Sequence, residues 1–267
     1  MKAYIATLVA LLISLAKGQR GNTNQIPCGI IKPPYGGNQP GQYPWVIAVL
    51  DQRDWLIRYI GSGSLIAPNV ALTAAHVVNE TTEFDLLVRA GEWNVTTMKE
   101  QQHVDLDVSK IIIHEGFNRF NDENDIALLI LRSEFKMRPN GPIGLICLPT
   151  QYSYANCFFN GWGKQDWDSE EYSSTLKKVD VTLRPNYECQ RPGQQLTSSK
   201  MCGYVFQGKD SRGDDGAPLV CQSNGRMEQF GILVSEKRQT RDQSFTVYTN
   251  IPSFMSWINR ILKLNSN

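Results

Sequence analysis

The sequence has no excess of charge of either sign: its 267 residues include 27 Lys and Arg and 26 Asp and Glu, for a formal net charge of +1. Proteins that bind nucleic acid as a main partner usually carry a strongly basic surface, so this balance argues against that role. Internal repeats and low-complexity segments are also missing, and a composition of 41% apolar and 20% charged residues is ordinary for a globular protein. The length suits one large domain or two small ones.

Long apolar runs are absent outside the N-terminus. There, Met1 and Lys2 precede a predominantly apolar stretch at 3–16, which is followed by Gly18. The stretch is too short to cross a bilayer comfortably, and the arrangement is typical of a secretory signal peptide. We expect residues 1–18 to be removed by cleavage after Gly18. We expect the mature protein to be secreted and extracellular, without membrane association.

Six cysteines, an even number, indicate disulfides if the chain enters an oxidising compartment. Spacing alone leaves many pairings open. Two acceptor sequons for asparagine glycosylation are also present, and such sequons are meaningful in a secreted chain. We therefore predict glycans on Asn79, in Asn79-Glu-Thr81, and on Asn94, in Asn94-Val-Thr96.

From Tyr43 onward, short apolar runs alternate with Gly, Pro, Asn and Asp. Runs of this length that are rich in β-branched and aromatic residues predict strands, and helical segments do not separate them regularly. An all-β sandwich or barrel is therefore favoured over an α/β fold. The runs lie at 45–50, 71–73, 86–88, 111–113, 126–131, 179–183, 230–234 and 245–248.

The C-terminus departs from this pattern, because its apolar residues follow a helical spacing and Ser253 is suited to cap a helix at its N-terminus. We expect one amphipathic helix whose apolar face packs against the β-structure. Its apolar positions are Phe254, Met255, Ile258, Ile261 and Leu262. Towards the other end of the chain, prolines and glycines within 26–42 predict an extended segment over the surface.

Three short motifs carry the chemical signal. A His after an apolar strand, or an Asp before one, is more often structural than catalytic when it stands alone. The motifs are Leu72-Thr-Ala-Ala-His76, Asn124-Asp-Ile-Ala-Leu-Leu129 and Gly213-Asp-Asp-Gly-Ala-Pro-Leu219, with Asn160-Gly-Trp-Gly163 between the second and the third. As a set in this order, they resemble the trypsin-like, chymotrypsin-fold serine proteases over roughly residues 43–264.

The resemblance implies a fold of two antiparallel six-stranded barrels with the active site in the cleft between them. The protease homology domain would span 43–264, after an N-terminal extension at 19–42. The family places its catalytic triad in the chain order His, Asp, Ser. His76 and Asp125 match the first two positions, and Asp215 stands where the family has the nucleophilic Ser.

The change at Asp215 removes the nucleophile. A serine protease attacks with a neutral hydroxyl whose proton the His accepts, whereas a carboxylate is already ionised and is a poor nucleophile toward an amide. Its charge also lies where the backbone N–H groups of residues 213 and 215 would stabilise an oxyanion. Ser211 lies four residues upstream, off the tight turn, and is not placed to substitute. We predict no functional catalytic residue: His76, Asp125 and Asp215 are vestigial triad positions.

Two further parts of the protease machinery differ. In the family, cleavage before Ile-Val-Gly-Gly creates an N-terminus that pairs with the Asp preceding the Ser. The nearest counterpart here is Pro34-Tyr-Gly-Gly37, so we expect Asp214 to receive no such N-terminal ammonium. The resemblance also assigns the specificity pocket, where we expect larger side chains to fill the space. The pocket positions are Lys209, Ser235, Glu236, Lys237 and Thr246.

The resemblance implies a reduced set of disulfides. Gly61 and Val77 replace both ends of the family bridge that flanks the His, and Ser211 replaces one end of the bridge beside the nucleophile loop. Within the family, the sequence is most similar to the non-catalytic homologues of arthropods. Many of these carry a clip domain, which we do not expect here, because residues 19–27 contain no cysteine. The implied pairs are Cys28–Cys147, Cys157–Cys221 and Cys189–Cys202.

Three functions remain to be weighed. We favour a secreted non-catalytic serine protease homologue that binds extracellular proteins, either proteases or their substrates, as a cofactor, decoy or adaptor in a protease cascade such as those of innate immunity. The alternative is a serine-type endopeptidase with residual or unusual activity; an aspartic mechanism would need two carboxylates that share a proton. A metal site built on one His and two Asp is the third.

In the implied geometry His76 separates Asp125 from Asp215, which disfavours both an aspartic mechanism and a metal site. We therefore expect no metal and no cofactor, and we expect a raised pKa for His76.

Overall fold

The computed structural model describes residues 26–32, 39–97, 103–139, 141–150, 155–164, 170–189, 195–206, 213–223, 225–240 and 243–265. Its strands form two closed barrels of six antiparallel strands each. The predicted two-barrel fold is therefore confirmed. No helix within these ranges is both long and apolar enough to cross a membrane.

The first barrel has the strand order β1-β2-β3-β6-β5-β4, and the second has the order β10-β11-β12-β9-β8-β7. The strands of the first barrel are β1 (Val46–Asp51), β2 (Arg58–Ala67), β3 (Val70–Thr73), β4 (Leu86–Ala90), β5 (Val104–Ile113) and β6 (Ala127–Leu131). Those of the second are β7 (Ala155–Gly161), β8 (Lys177–Arg184), β9 (Lys200–Phe206), β10 (Pro218–Ser223), β11 (Arg226–Thr240) and β12 (Gln243–Asn250).

Burial along the strands explains why some of the predicted runs alternate and others do not. In β8, Val179 and Val181 are buried in the barrel core while Asp180 and Thr182 are exposed, as expected for a strand with one face in water. β6 is buried at every position, because alternate residues enter two different cores. Leu129 packs inside the barrel, and its neighbours pack against the C-terminal helix.

Two helices are described, and the longer is the predicted C-terminal one. α1 (Ala75–Val78) is a single turn after β3, and α2 (Met255–Leu264) follows the 3-10 turn Ile251–Phe254. The buried residues of α2 are Trp257, Ile258 and Ile261, which pack on the outer side of the first barrel. The predicted cap was wrong: Ser253 lies within the 3-10 turn, and its hydroxyl donates instead to the carbonyl oxygen of Ser198 at 2.8 Å.

All six cysteines are paired, in the combination that the resemblance implies. Cys28–Cys147 fastens the segment that precedes the first barrel, Cys157–Cys221 joins β7 to β10, and Cys189–Cys202 closes a short loop before β9. At the position of the missing bridge, Gly61 of β2 lies against Val77 of α1, where a Cβ on Gly61 would lie 2.8 Å from Val77 Cγ1. An apolar contact thus stands where the family has a covalent one.

Candidate functional site

His76 and Asp125 are brought together by the pairing of β3 with β6. The two strands are antiparallel, and Thr73 at the end of β3 pairs with Ala127 at the start of β6. His76 follows β3 on α1, and Asp125 comes just before β6, so both side chains arise at the same edge of the first barrel. Strand register therefore places two residues that are distant in the sequence side by side.

Hydrogen bonds fix the orientation of the imidazole ring. His76 Nδ1 lies 2.5 Å from Asp125 Oδ2, and the backbone N–H of His76 donates to Asp125 Oδ1 at 2.8 Å. Asp125 has no exposure to solvent, and its backbone carbonyl oxygen accepts a hydrogen bond from Thr249 Oγ1 at 2.6 Å. Because Nδ1 faces Asp125, Nε2 points away from it, toward the second barrel.

Asp215 reaches Nε2 from the second barrel. It lies in the turn at 213–216, immediately before β10, and its carbonyl oxygen accepts a hydrogen bond from the N–H of Ser62 at 2.8 Å. Gly216 has a φ of +82°, and a Cβ there would overlap the Ser62 carbonyl oxygen, so the turn requires glycine. The side chain of Asp215 is 43% exposed, and its Oδ1 lies 3.8 Å from His76 Nε2, an ion-pair distance that is too long for a hydrogen bond.

The two carboxylates favour the protonated imidazole. Burial by itself would lower the pKa of His76, but its hydrogen bond to Asp125, together with the charges of Asp125 and Asp215, raises the pKa to about 10. At neutral pH the ring is therefore an imidazolium. Both ring nitrogens then carry protons and neither can accept one, so His76 is not available as a general base.

The arrangement also bears on the two alternative chemistries. Asp125 and Asp215 lie on opposite nitrogens of one ring, at 2.5 Å and 3.8 Å, so the three groups form a row. An aspartic mechanism needs two carboxylates in contact through a shared proton, and a metal site needs its ligands to converge on a point. In the described parts of the chain, no group of three His, Cys, Asp or Glu side chains is placed to hold a metal ion.

A comparison with known protein families shows to which family the chain belongs. The family model described as Trypsin matches residues 36–258. The chain belongs to the trypsin family. Phenoloxidase-activating factor 2 of Galleria mellonella is 38% identical over 264 residues, an alignment that covers 89% of this chain and 86% of that protein.

Two further trypsin-family relatives carry the word "inactive" in their names. Inactive CLIP domain-containing serine protease A3 of Aedes aegypti is 35% identical over 84% of this chain, and A8 of Anopheles gambiae is 29% identical over 84% of it. The matched regions make up 50% and 66% of those two proteins. The chain therefore spans about half to two thirds of their length.

Of the residues that we assigned to the specificity pocket, Thr246 has a described side chain. Thr246 has no exposure to solvent, and its hydroxyl donates to the hydroxyl oxygen of the equally buried Tyr248 at 2.6 Å. Lys209 lies outside the described residues, as do Ser211 and the segment at 34–37. Ser235, Glu236 and Lys237 lie on β11, whose backbone there pairs with 245–247 of β12. Their side chains lie outside the described part, so a filled pocket stays a prediction.

Sequence reasoning missed Lys177. Its ammonium Nζ lies 2.7 Å from Oδ2 of Asp214, which is completely buried. One signal in the sequence pointed to it: Lys177 stands at an inward-facing position of β8, in the same alternation as the buried Val179 and Val181. A lysine at such a position needs a partner, since a buried unpaired ammonium is costly.

The two predicted glycosylation sites lie on loops. Asn79 ends α1, three residues after His76, and is half-buried. Asn94 is also half-buried, and its side-chain oxygen accepts hydrogen bonds from the N–H and the hydroxyl of Thr96 at 3.0 Å and 2.7 Å. Glycosylation at either site stays a prediction.

Proposed function

We propose that this chain is a secreted, catalytically inactive serine protease homologue that acts by binding, as a cofactor, decoy or adaptor in an extracellular protease cascade. One observation carries the proposal: the carboxylate of Asp215, the residue that we assign to the nucleophile position, faces the ring of His76 at 3.8 Å. The site then lacks both an attacking hydroxyl and a free base. Loss of either one removes the covalent route by which trypsin-family proteases cleave amides.

The names of the relatives support a place in a cascade. Two relatives are named inactive proteases, and the Galleria relative is named a phenoloxidase-activating factor. We extend to this chain the role of a non-catalytic component in a cascade of that kind, and we propose that the cascade serves innate immunity. Its partners are then other extracellular proteins, namely proteases or their substrates.

The domain organisation that we propose is a signal peptide at 1–18, an extension at 19–42 and a protease homology domain at 43–264. Three disulfides favour an oxidising, extracellular location. The chain keeps both barrels and the turn that carries Asp215, although the chemistry that they serve in a protease is lost. A conserved shape without a nucleophile supports binding as the remaining use of the cleft.

A fluorophosphonate probe tests the absence of catalysis directly, because it labels activated serine nucleophiles covalently. We expect no labelling of the purified chain under conditions in which trypsin is fully labelled. Labelling that is lost when the chain is unfolded would overturn the proposal and would establish the alternative, a serine endopeptidase with residual activity.

The regulatory role needs a second experiment. The purified chain is added back to native extracellular fluid from which it has been immunodepleted, and activation of downstream proteases is followed with chromogenic peptides. We expect depletion to change the activation rate and the added chain to restore it. An activation rate that responds to neither step contradicts the cascade role and leaves the inactive fold intact.

A further inference from the structure

The residue before Asp215 is a buried acid with a buried counter-ion. Asp214 has no exposure to solvent; its Oδ1 accepts a hydrogen bond from the N–H of Gly163 at 2.7 Å, and its Oδ2 lies 2.7 Å from Lys177 Nζ. Lys177 is 7% exposed, and its ammonium also donates to the backbone carbonyl oxygen of Lys164. Among the described residues, Lys177 supplies the cation within ion-pair distance of Asp214. A carboxylate buried in this way is strongly destabilising if its partner is removed.

The register of the second barrel explains why these charges meet. β7 pairs with β8 so that Gly161 stands opposite Lys177. Gly161 has no side chain, and a Cβ at that position would overlap Asp214 Oδ1. The carboxylate therefore fills the space that glycine leaves free, next to the strand from which the Lys177 side chain extends.

Asp214 belongs to the turn at 213–216, so its ion pair bears on the position of Asp215. The neighbouring carbonyl groups are held from the first barrel: the hydroxyl of Tyr59 donates to the oxygen of Gly213 at 3.0 Å, and the N–H of Ser62 donates to that of Asp215 at 2.8 Å. The Asp214 side chain fastens the turn to the second barrel through Gly163 and Lys177, and the N–H of Gly216 adds a backbone hydrogen bond to the carbonyl oxygen of Leu233 on β11. The turn is thus held from both sides of the cleft.

We propose that Lys177 is a positioning residue that holds the Asp215 turn in place in the uncut chain, in the role that active family members give to the ammonium of a newly cleaved N-terminus. The cleft is then assembled as the chain folds, and no activating cleavage is needed. This inference goes beyond the proposed function, because it concerns how the cleft is formed. It does not depend on whether a protease partner is found.

The first test uses His76 as a reporter of where Asp215 lies. The uncut chain is titrated by NMR as wild type, as Lys177→Met, and as Asp215→Asn, which defines the pKa of His76 without the second carboxylate. We expect Lys177→Met to lower the pKa of His76 toward that of Asp215→Asn, because the freed turn takes Asp215 away from the ring. The double variant Lys177→Met/Asp214→Asn removes both charges, and we expect it to restore the wild-type value. A wild-type pKa of His76 in Lys177→Met would refute the positioning role.

A pH profile separates the ion pair from simple packing. The charged and titratable groups that face Asp214 are Lys177, Asp215 and Tyr59. Burial raises the pKa of Asp214 to about 6, although Lys177 opposes this. Without Lys177 the pKa of Asp214 is higher still, so Lys177→Met should lose more stability at about pH 8 than at about pH 5, where the carboxyl is protonated. Equal losses at both pH values would mean that Lys177 contributes packing alone.

If Lys177→Met does not fold, hydrogen exchange of the wild-type chain tests whether the Asp215 turn is already ordered before any cleavage. The N–H of Gly216 donates to the carbonyl oxygen of Leu233, and that of Ala217 donates to the oxygen of Asp214, both at 2.9 Å. We expect both amides to be protected in a chain that mass spectrometry shows to be uncut. Exchange of both amides at the rate of an open loop in that chain would overturn the proposal.

Discussion

At the scale of the residue, His76 carries the strongest argument for the loss of catalysis that we propose, because its ring lies between two carboxylates. Its ring keeps the buried partner Asp125 at 2.5 Å but meets a second carboxylate, Asp215, at 3.8 Å where a hydroxyl would lie. In our proposal, Asp215 both removes the nucleophile and favours the protonated form of its base. The loss of activity that we propose is for this reason greater than the loss of one group.

We predict that the two carboxylates contribute unequally to the protonation of His76. Asp125→Asn should lower the pKa of His76 more than Asp215→Asn does, because Asp125 is closer and fully buried, whereas Asp215 is 43% exposed and its charge is screened by water. NMR titration of His76 in both variants and in the wild type, where its pKa is about 10, measures this order. A normal or depressed pKa of His76 in the wild type would contradict the arrangement described above.

At the scale of the element, β6 connects the cleft to the C-terminal helix. Asp125 lies immediately before β6, and alternate residues of this strand enter the barrel core and the core beneath α2. Trp257 of α2 also donates from its ring N–H to Glu115 Oε2 at 3.0 Å. The helix therefore supports the strand that follows Asp125.

We predict that Ile258→Ala destabilises the folded chain by about 2–5 kcal/mol, because Ile258 has no exposure and its truncation leaves a cavity between α2 and β6. The matched control is Asn259→Ala on the exposed face of the same helix, which should change the free energy of unfolding by about 0.5 kcal/mol or less. Urea denaturation measures both variants. Similar losses in the two would mean that helix propensity, and not burial, dominates at this site.

At the scale of the whole molecule, the site exists because two barrels meet. The first barrel supplies His76 and Asp125, and the second supplies Asp215. Hydrogen bonds cross the junction, among them Ser64 Oγ to Gln229 Oε1 at 2.5 Å, with both residues buried. Buried hydrogen bonds therefore hold the two barrels against each other.

The raised pKa of His76 predicts a pH dependence of the stability of the whole chain. The pKa of His76 is raised on folding, from about 6.5 in an unfolded chain to about 10. The stabilisation by the imidazolium is therefore complete below about pH 6.5 and is lost as the pH rises through about 10. His76→Gln, compared with the wild type by thermal unfolding across this range, should lack that part of the pH dependence. Parallel profiles for the two proteins would contradict it.

Much of the fold could be predicted from the sequence, because local patterns of apolar residues and short motifs indicate it. Short β-branched runs predicted the strands, the helical spacing after Phe254 predicted α2, and the three motifs indicated the positions of the site. The cap at Ser253 was predicted wrongly, because Ser253 lies within a 3-10 turn and its hydroxyl donates to the carbonyl oxygen of Ser198, which competes with the capping role. Such competition comes from a distant segment and leaves no local signal.

The sequence by itself determined that residue 215 is an aspartate, because the identity of a residue is a covalent fact that folding does not alter; that the family's nucleophile is missing stays a prediction from that identity. Tertiary structure alone decided how far Asp215 lies from His76, and that Lys177 is the counter-ion of Asp214. Those contacts depend on strand register and on the packing of one barrel against the other. Each joins residues from separate segments of the chain, and interactions of that kind follow from the fold and not from sequence spacing.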